Sequence, residues 1–310
     1  MNSSLGLYVL RRLALAAPTL LGVTIVVFLL VRIIPGDPAR VIAGLLASED
    51  EVQRIRVELG LDRPIHVQYS IFLNHLLRGT LGKSAATRAP VTEEIGTRLR
   101  ATVQLAISSI VVATTAGLAA GIVSATRPYS ALDFTVMAVA LFGVSIPVFW
   151  LGIMLMLLFS VTLHWLPAGG YGTPVHLVLP TVALAAFSVA IIARMTRSSL
   201  LEAFGQDYIR TARAKGLGDR VVVLRHALKN ALIPVLTVVG LQFGALLSGA
   251  ILTETTFALP GLGRLLVNSI SARDYPVIQG IALVFAVVFT LVNLTVDLLY
   301  AYVDPRIHYG

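Results

Sequence analysis

Six long runs without Asp, Glu, Lys or Arg limit this chain more than any other feature: Leu13–Val31, Ala101–Thr126, Phe134–Leu163, Val175–Ala193, Ala231–Thr253 and Tyr275–Val296. About 20 apolar residues cross the hydrocarbon of a bilayer as a helix, and in lipid a helix satisfies its own backbone polar groups. The expected fold is therefore an all-α membrane protein with six transmembrane helices and both termini on one side. The third run is long for one perpendicular span and carries Ser145-Ile146-Pro147 near its middle, which predicts a tilt or a kink. Only 13% of residues are charged, about half the share typical of a soluble domain. The first run is too long for the apolar region of a cleavable signal and has no convincing cleavage site.

Charge in the short loops sets the orientation. Arg11, Arg12, Arg127, Arg306 and eight Lys or Arg between Arg194 and Lys229 fall on the side of the termini, twelve in all. The opposite short loops hold only Arg264 and Arg273. The termini and the loop between the fourth and fifth spans are thus expected in the cytoplasm. The net charge of +8 raises nucleic acid as a partner. The basic residues, however, flank apolar spans and lack interleaved aromatics, so topology accounts for them.

The chain divides on this reading into residues 1–34 (tail and first span), an external segment 35–100, and a five-helix core 101–310. The external segment has the signals of a small, partly helical cap. Ser48-Glu49-Asp50-Glu51 has capping-box spacing, Val52, Ile55 and Leu59 follow at helical intervals, and Gly60 can end the helix. A second helix is expected from Ile65 to Arg78, stopping at Gly79, and Pro90 can open a third that leads into the second span. The loops 164–174 and 258–274 lie on the same external side, where a delivery protein or bound solute would be met.

The cytoplasmic stretch Leu200–Pro234 reads as helix, glycine, helix. Asp207 can cap a short helix with Ala212 and Ala214 on its small face, and Gly216 can end it in the left-handed conformation with Lys215 in the last turn. A second helix is expected from about Arg220, with Val221, Leu224 and Leu228 apolar, until Pro234 marks entry into the next span. A short helix with a small face at the mouth of a bundle suits being gripped by a partner. Its plainer reading is a basic loop that fixes topology.

No catalytic constellation stands out. Gly82-Lys83-Ser84 ends like a phosphate-binding loop, but position 77 is Leu77 where that pattern needs glycine, and no strand precedes it. The six histidines show no ligand spacing, and the absence of cysteine excludes disulfides and thiolate metal sites. The spans hold no Asp, Glu, Lys or Arg, whereas ion-coupled carriers usually need such groups in the membrane. Asp133, Glu254 and Asp297 sit towards span ends, where capping or interfacial pairing explains them. Energy for uphill transport would then come from another subunit at the central loop. Ser145, Gln242 and Ser248, with Gln104, Ser108 and Ser188, could line a path; hydrogen bonding between helices is the competing use. Gly117 with Gly121, and Gly240 with Gly244, permit close helix contact.

The stretch Asp207–Leu217 (DYIRTARAKGL), continued by Arg225–Pro234 (RHALKNALIP), resembles the cytoplasmic EAA-type coupling loop of ABC-importer permeases of the dipeptide/oligopeptide/nickel group. Pro35-Gly36-Asp37-Pro38, Leu59–Pro64, Leu81–Ser84, Leu259–Gly263, Arg273–Pro276, Val296–Tyr300 and Asp304-Pro305-Arg306 agree with it, so the resemblance covers nearly the whole chain. The long external segment resembles the first-permease branch, and the segments 35–44 and 261–279 are similar to glutathione-importer permeases. Where the wider family has Glu-Ala-Ala and then Gly, this chain has Arg210, Thr211, Ala212 and Gly216; the family's later proline position is Lys229. The resemblance implies a non-enzymatic subunit that moves short peptides, with nickel or another small solute as the alternative cargo. It implies a coupling surface of Tyr208, Arg210, Thr211, Ala212, Arg213, Ala214, Lys215 and Gly216. The partners implied are a second homologous permease, two ABC ATPase subunits that hold the ATP and magnesium, and an external solute-binding protein. A self-sufficient carrier or channel, and a membrane scaffold that only recruits a cytoplasmic protein, are the rival readings.

Overall fold

The computed structural model describes residues 2–33, 37–44, 47–58 and 60–303. Among them the chain is helical, with an isolated antiparallel bridge between Lys83 and Pro90. Pro35, Gly36, Leu59, Asp304, Pro305 and Arg306 of the motifs above lie outside the described residues, as do the side chains of Arg11, Arg12 and Asp297. The chain forms two compact units, one of residues 1–8, 103–259 and 291–310, the other of 9–102 and 260–290.

α1 (Asn2–Ile33), most of which belongs to the second of these, carries the first apolar run, of which 14–29 qualifies as an apolar helical stretch shorter than a full span. α2 (Pro38–Ala43) is capped by Asp37, whose carboxylate accepts the Ala39 N–H at 3.0 Å. α3 (Glu49–Glu58) starts as its capping box predicts: the Ser48 hydroxyl accepts the Glu51 N–H at 3.3 Å, and three acids in the first turn face the positive end of the helix dipole. α4 (Ile65–Leu77) ends one residue before the expected Arg78, with Gly79 at φ +72° behind it. It lies on α1 through Phe28, whose ring is 5.1 Å from Tyr69 and 5.7 Å from Phe72. A Thr24–Tyr69 hydroxyl contact of 2.8 Å and two bonds from Arg32 to Gln68 Oε1 complete that seam.

Pro90 precedes α5 (Val91–Thr126), a single 36-residue helix in which the expected third external helix runs without a break into the second span. α6 (Ala131–Ser145) begins at a Ser130 cap whose hydroxyl accepts the Asp133 N–H at 3.2 Å. α7 (Val148–Met156) follows and continues as a π-helical turn, Leu157–Thr162. The third run is thus not one tilted span: its two halves are bent by 104° at Ser145–Pro147. Pro147 supplies no N–H, and the residue before a proline avoids the helical region; Ile146 accordingly sits at φ −95°, ψ 127°. Each half, at about 1.5 Å per residue, reaches only about 22 Å. Among the described residues, four helices are long and apolar enough to cross a membrane, five if the bent pair counts as one.

α8 (Val178–Phe204), entered through a 3₁₀ turn at Pro174–Leu177, is the most enclosed helix, with half of its apolar window buried against 22–28% in the other three long helices. Gly117 and Gly121 bring α5 against it, as their spacing predicts: a Cβ on Gly121 would stand 2.6 Å from the Ala193 carbonyl oxygen. Then come α9 (Asp207–Ala214), α10 (Asp219–Val221), a π-helical segment Val222–Ala227, and α11 (Leu228–Thr256). Pro234 lies inside α11 and does not mark a boundary; a helix among apolar neighbours tolerates the lost hydrogen bond. α12 (Leu262–Ser271) and α13 (Tyr275–Val303) complete the chain. One core joins Leu105, Leu179, Leu184, Leu246, Phe257 and Leu259 in the first unit, another Val91, Ile95, Leu262, Leu265, Val277 and Ile281 in the second.

Candidate functional site

The expected coupling surface is built on α9, an eight-residue helix seated on the ends of α5, α8 and the π-helical segment. Its apolar stripe is two residues wide. Ile209 is fully buried and Ala212 nearly so, packed with Ala125, Leu200, Ala203, Val222, Ala227 and Ala231. Ala212 therefore faces this chain's own body and offers no small face to a partner. The outward side carries Tyr208, Arg210, Thr211, Arg213, Ala214, Lys215 and Gly216, all exposed. Arg210 pairs with Asp207 at 3.6 Å and Arg213 with Asp219 at 3.7 Å, both in solvent, where such pairs add little. Asp207 is not the cap: Gln206 occupies that position without a side-chain hydrogen bond, and Asp207 opens the first turn.

The helix ends as its sequence predicts. Gly216 is at φ +79°, with the Leu217 N–H on the Ala212 carbonyl (3.3 Å) and its own N–H on the Arg213 carbonyl (2.9 Å). That is the paired bonding of a Schellman stop, which needs a left-handed residue after the cap. The element after it differs from expectation. Val221 and Leu224 are exposed, and the buried face is Val222, Val223 and Ala227. Bonds to the fifth residue along Val222–Ala227 widen each turn, so the inward face no longer recurs at the α-helical spacing of 221, 224 and 228.

A buried ion pair lies about two turns up α8 from this platform. Asp133, 2% exposed, accepts from Arg197 Nε at 2.8 Å and Nη2 at 2.6 Å, from the Ser124 hydroxyl, and from the Tyr129 N–H at 2.9 Å. Each carboxylate oxygen thereby receives two donors. Capping or pairing near a span end is what the sequence predicts for Asp133, and it is paired at the start of a capped helix; what the sequence does not predict is its burial and the identity of its partner. The Ser130-x-x-Asp133 spacing and the arginine four residues past the fourth run were the available signals.

Of the three path candidates, Gln242 meets the Ser188 hydroxyl at 3.0 Å between α11 and α8. Ser145 and Ser248 are exposed, and each bonds back to its own helix, to the Leu141 and Gly244 carbonyls. The structure thus brings none of the three together. Ser108 and Thr181 hydroxyls meet at 2.7 Å, and Tyr171 donates to Gln104 at 2.6 Å. In the other unit the Gly82-Lys83-Ser84 loop does cradle an anion, but the chain's own: Asp274, 2% exposed, takes the Ser84 hydroxyl and the Ala85, Ala86 and Val277 N–H groups.

The family described as the inner membrane component of binding-protein-dependent transport systems matches residues 117–309, and its N-terminal counterpart residues 6–106. A dipeptide transport system permease protein of Alkalihalophilus pseudofirmus is 48% identical, covering 97% of this chain and 99% of its own. A glutathione transport system permease protein of Salmonella typhi is also 48% identical, with the same coverage. Among solved structures, two inward-facing forms of the MetNI methionine ABC transporter align with TM-scores of 0.58 and 0.59 at 21% identity, over 68% of this chain and 96% of theirs.

Proposed function

This chain belongs to the inner membrane components of binding-protein-dependent transport systems, and from that premise we propose that it is the permease subunit of an ABC importer of short peptides. The relatives named for dipeptide and glutathione transport support that cargo class. It is a transport subunit and not an enzyme. We propose six spans (α1, α5, the bent pair α6–α7, α8, α11 and α13), with residues 35–100 as an external cap. The imbalance of twelve Lys and Arg against two supports cytoplasmic termini and a cytoplasmic α9. The working assembly would add a second homologous permease, two ATPase subunits that hold all the ATP and magnesium, and an external solute-binding protein.

One observation carries the coupling role: α9 is anchored by Ile209 and Ala212 while its other side stands free in solvent. A helix fixed to the body on one face and bare on the other can transmit a push from a docked subunit. Tyr208, Arg210, Thr211, Ala214 and Lys215 are the docking side, Arg213 and Gly216 shape its end, and Ala212 anchors. Closure of the ATPases would move α9 and rock the spans between outward and inward access.

The test is uptake into vesicles holding this chain with its partner permease and ATPases, using dipeptides, longer peptides and glutathione. Uptake that needs both internal ATP and the binding protein is expected. Uptake by this chain alone, indifferent to ATP, would overturn the proposal in favour of a self-sufficient carrier.

A further inference from the structure

The Asp133–Arg197 pair joins α6 to the helix that carries α9, and it does so in the most rigid way available to two side chains. The guanidinium fork meets both carboxylate oxygens, and Ser124 and the Tyr129 N–H fill the remaining acceptor positions. A carboxylate offers about four such positions, so none is left to water or a passing cation. Arg197 also stands over the Tyr129 ring, 5.8 Å from its centroid. The end of α5, the turn after it, the start of α6 and the inner part of α8 thus meet at one acidic group.

A second contact lies at the far end of α6. A Cβ on Gly143 would stand 2.6 Å from the Ala186 carbonyl oxygen, so the two backbones touch there. Asp133 and Gly143 are ten residues apart on α6; Arg197 and Ala186 are eleven apart on α8. At about 1.5 Å per residue both intervals are close to 16 Å, which fits two antiparallel helices fastened at both ends. Two fastenings prevent rotation of one helix on the other, where one would leave a pivot. Beyond Gly143 the chain reaches the 104° bend and α7, where Gly152 lies against the Phe257 ring.

We propose that Asp133 and Arg197 are positioning residues for coupling: they lock α6 to α8, so that displacement of α9 reaches the bend at Ser145–Pro147 as the movement of one lever. A push on α9 passes to α8 through Leu200 and Ala203 beneath it. Arg197 lies seven residues above Phe204, about 10 Å along the same helix, and hands the movement to α6. Without the lock, α8 moves and α6 lags, and ATP is hydrolysed without opening the path. The inference rests on α9 being the driven element.

The test uses the assembled importer in vesicles, with ATP hydrolysis and solute uptake measured on the same preparation and expressed as solute moved per ATP. Arg197→Lys keeps the charge and removes the fork; Asp133→Asn keeps the shape and removes the charge. Each is expected to lower the yield of assembled importer, so both rates are taken per assembled complex, where ATP hydrolysis stays near the unmodified level. Each lowers the ratio roughly two- to thirtyfold, the range over which single residues alter coupling between sites. The double variant is expected to be no worse than either single one, because both act through one contact. If a charge variant does not assemble, Ser124→Ala removes one donor and leaves both charges, with a smaller fall in the ratio expected. Uptake and hydrolysis that fall together, leaving the ratio unchanged in every variant that assembles, would make the pair merely structural and overturn the proposal. Uptake by the unmodified importer that ignores ATP would strike the coupling role of α9 instead.

Discussion

Replacing Gly216 by alanine isolates one physical quantity. At φ +79° an added Cβ meets no atom within 4 Å, so the substitution causes no packing clash and its cost is backbone strain alone. A left-handed residue with a side chain costs roughly 1–2 kcal/mol. That strain is relieved if the last turn of α9 opens and the Schellman bonds from Leu217 and Gly216 are released. An opening made 1–2 kcal/mol easier is about five- to thirtyfold more populated. Hydrogen exchange at the amides of Thr211 to Leu217 should speed up by that factor, since local openings govern exchange at surface helices. Gly218, two residues on, is an internal control: its Cβ space is equally open, but its φ is −64°. Any effect of Gly218→Ala falls on α10, whose first turn it caps, and exchange in α9 should stay at the unmodified rate. ATP-driven uptake should drop in Gly216→Ala and not in Gly218→Ala, because a frayed helix absorbs a push. Equal exchange rates in α9 for the two variants would refute the reasoning, whatever the transport result.

Four further outcomes separate the anchoring face of α9 from its docking face and probe the α5–α8 seam. Ile209→Ala should cost about 2–5 kcal/mol, as expected for emptying a fully buried aliphatic site, and lower the thermal midpoint of the purified complex. Tyr208→Ala should leave that midpoint unchanged while lowering ATPase stimulation by the binding protein. Ala212→Leu should destabilise the platform by about 1–3 kcal/mol through overpacking, seen as a lower midpoint in the permease pair without its ATPases. An effect confined to ATPase attachment would return Ala212 to the docking side. Gly121→Val should separate α5 from α8, because its Cβ would stand 2.5 Å from Thr196 Cβ; the yield of assembled complex in detergent measures this.

Much of the helical order was legible because its signals are local. Ser48 with Glu51, Gly79 and Gly216 act through bonds within a few residues of themselves, and the sequence around each contains the whole interaction. The apolar runs were legible for the same reason. What could not be read depends on partners far along the chain. Ala212 looks identical whether its small face meets a foreign groove or Leu200 and Ala203 beneath it. Asp133 reads as an acid for capping or interfacial pairing, but its partner Arg197, 64 residues away, cannot be picked out from the sequence. The buried face of the helix after Gly216 is not legible because a π-helical segment changes the turn length, which apolar periodicity cannot reveal. At Pro147 the sequence announced a kink without its size, since the angle depends on how α6 and α7 each pack against α8.

The two carboxylates enclosed in this way bear on where the energy for transport enters. Asp133 and Asp274 are each 2% exposed, and each receives four donors. A residue that carries a proton or cation across a membrane must exchange partners, facing one side loaded and the other empty. A carboxylate whose acceptor positions are all taken by the protein has to break those bonds before it can bind anything, and inside a low-dielectric body each broken bond leaves a costly unpaired donor. Both acids also sit at the first turns of helices, Asp133 in α6 and Asp274 just before α13, where they join elements distant in sequence. They have the construction of joints. On the proposed reading, the work is applied from outside these joints, and α9, anchored on one face and exposed on the other, is an element to which a displacement can be applied.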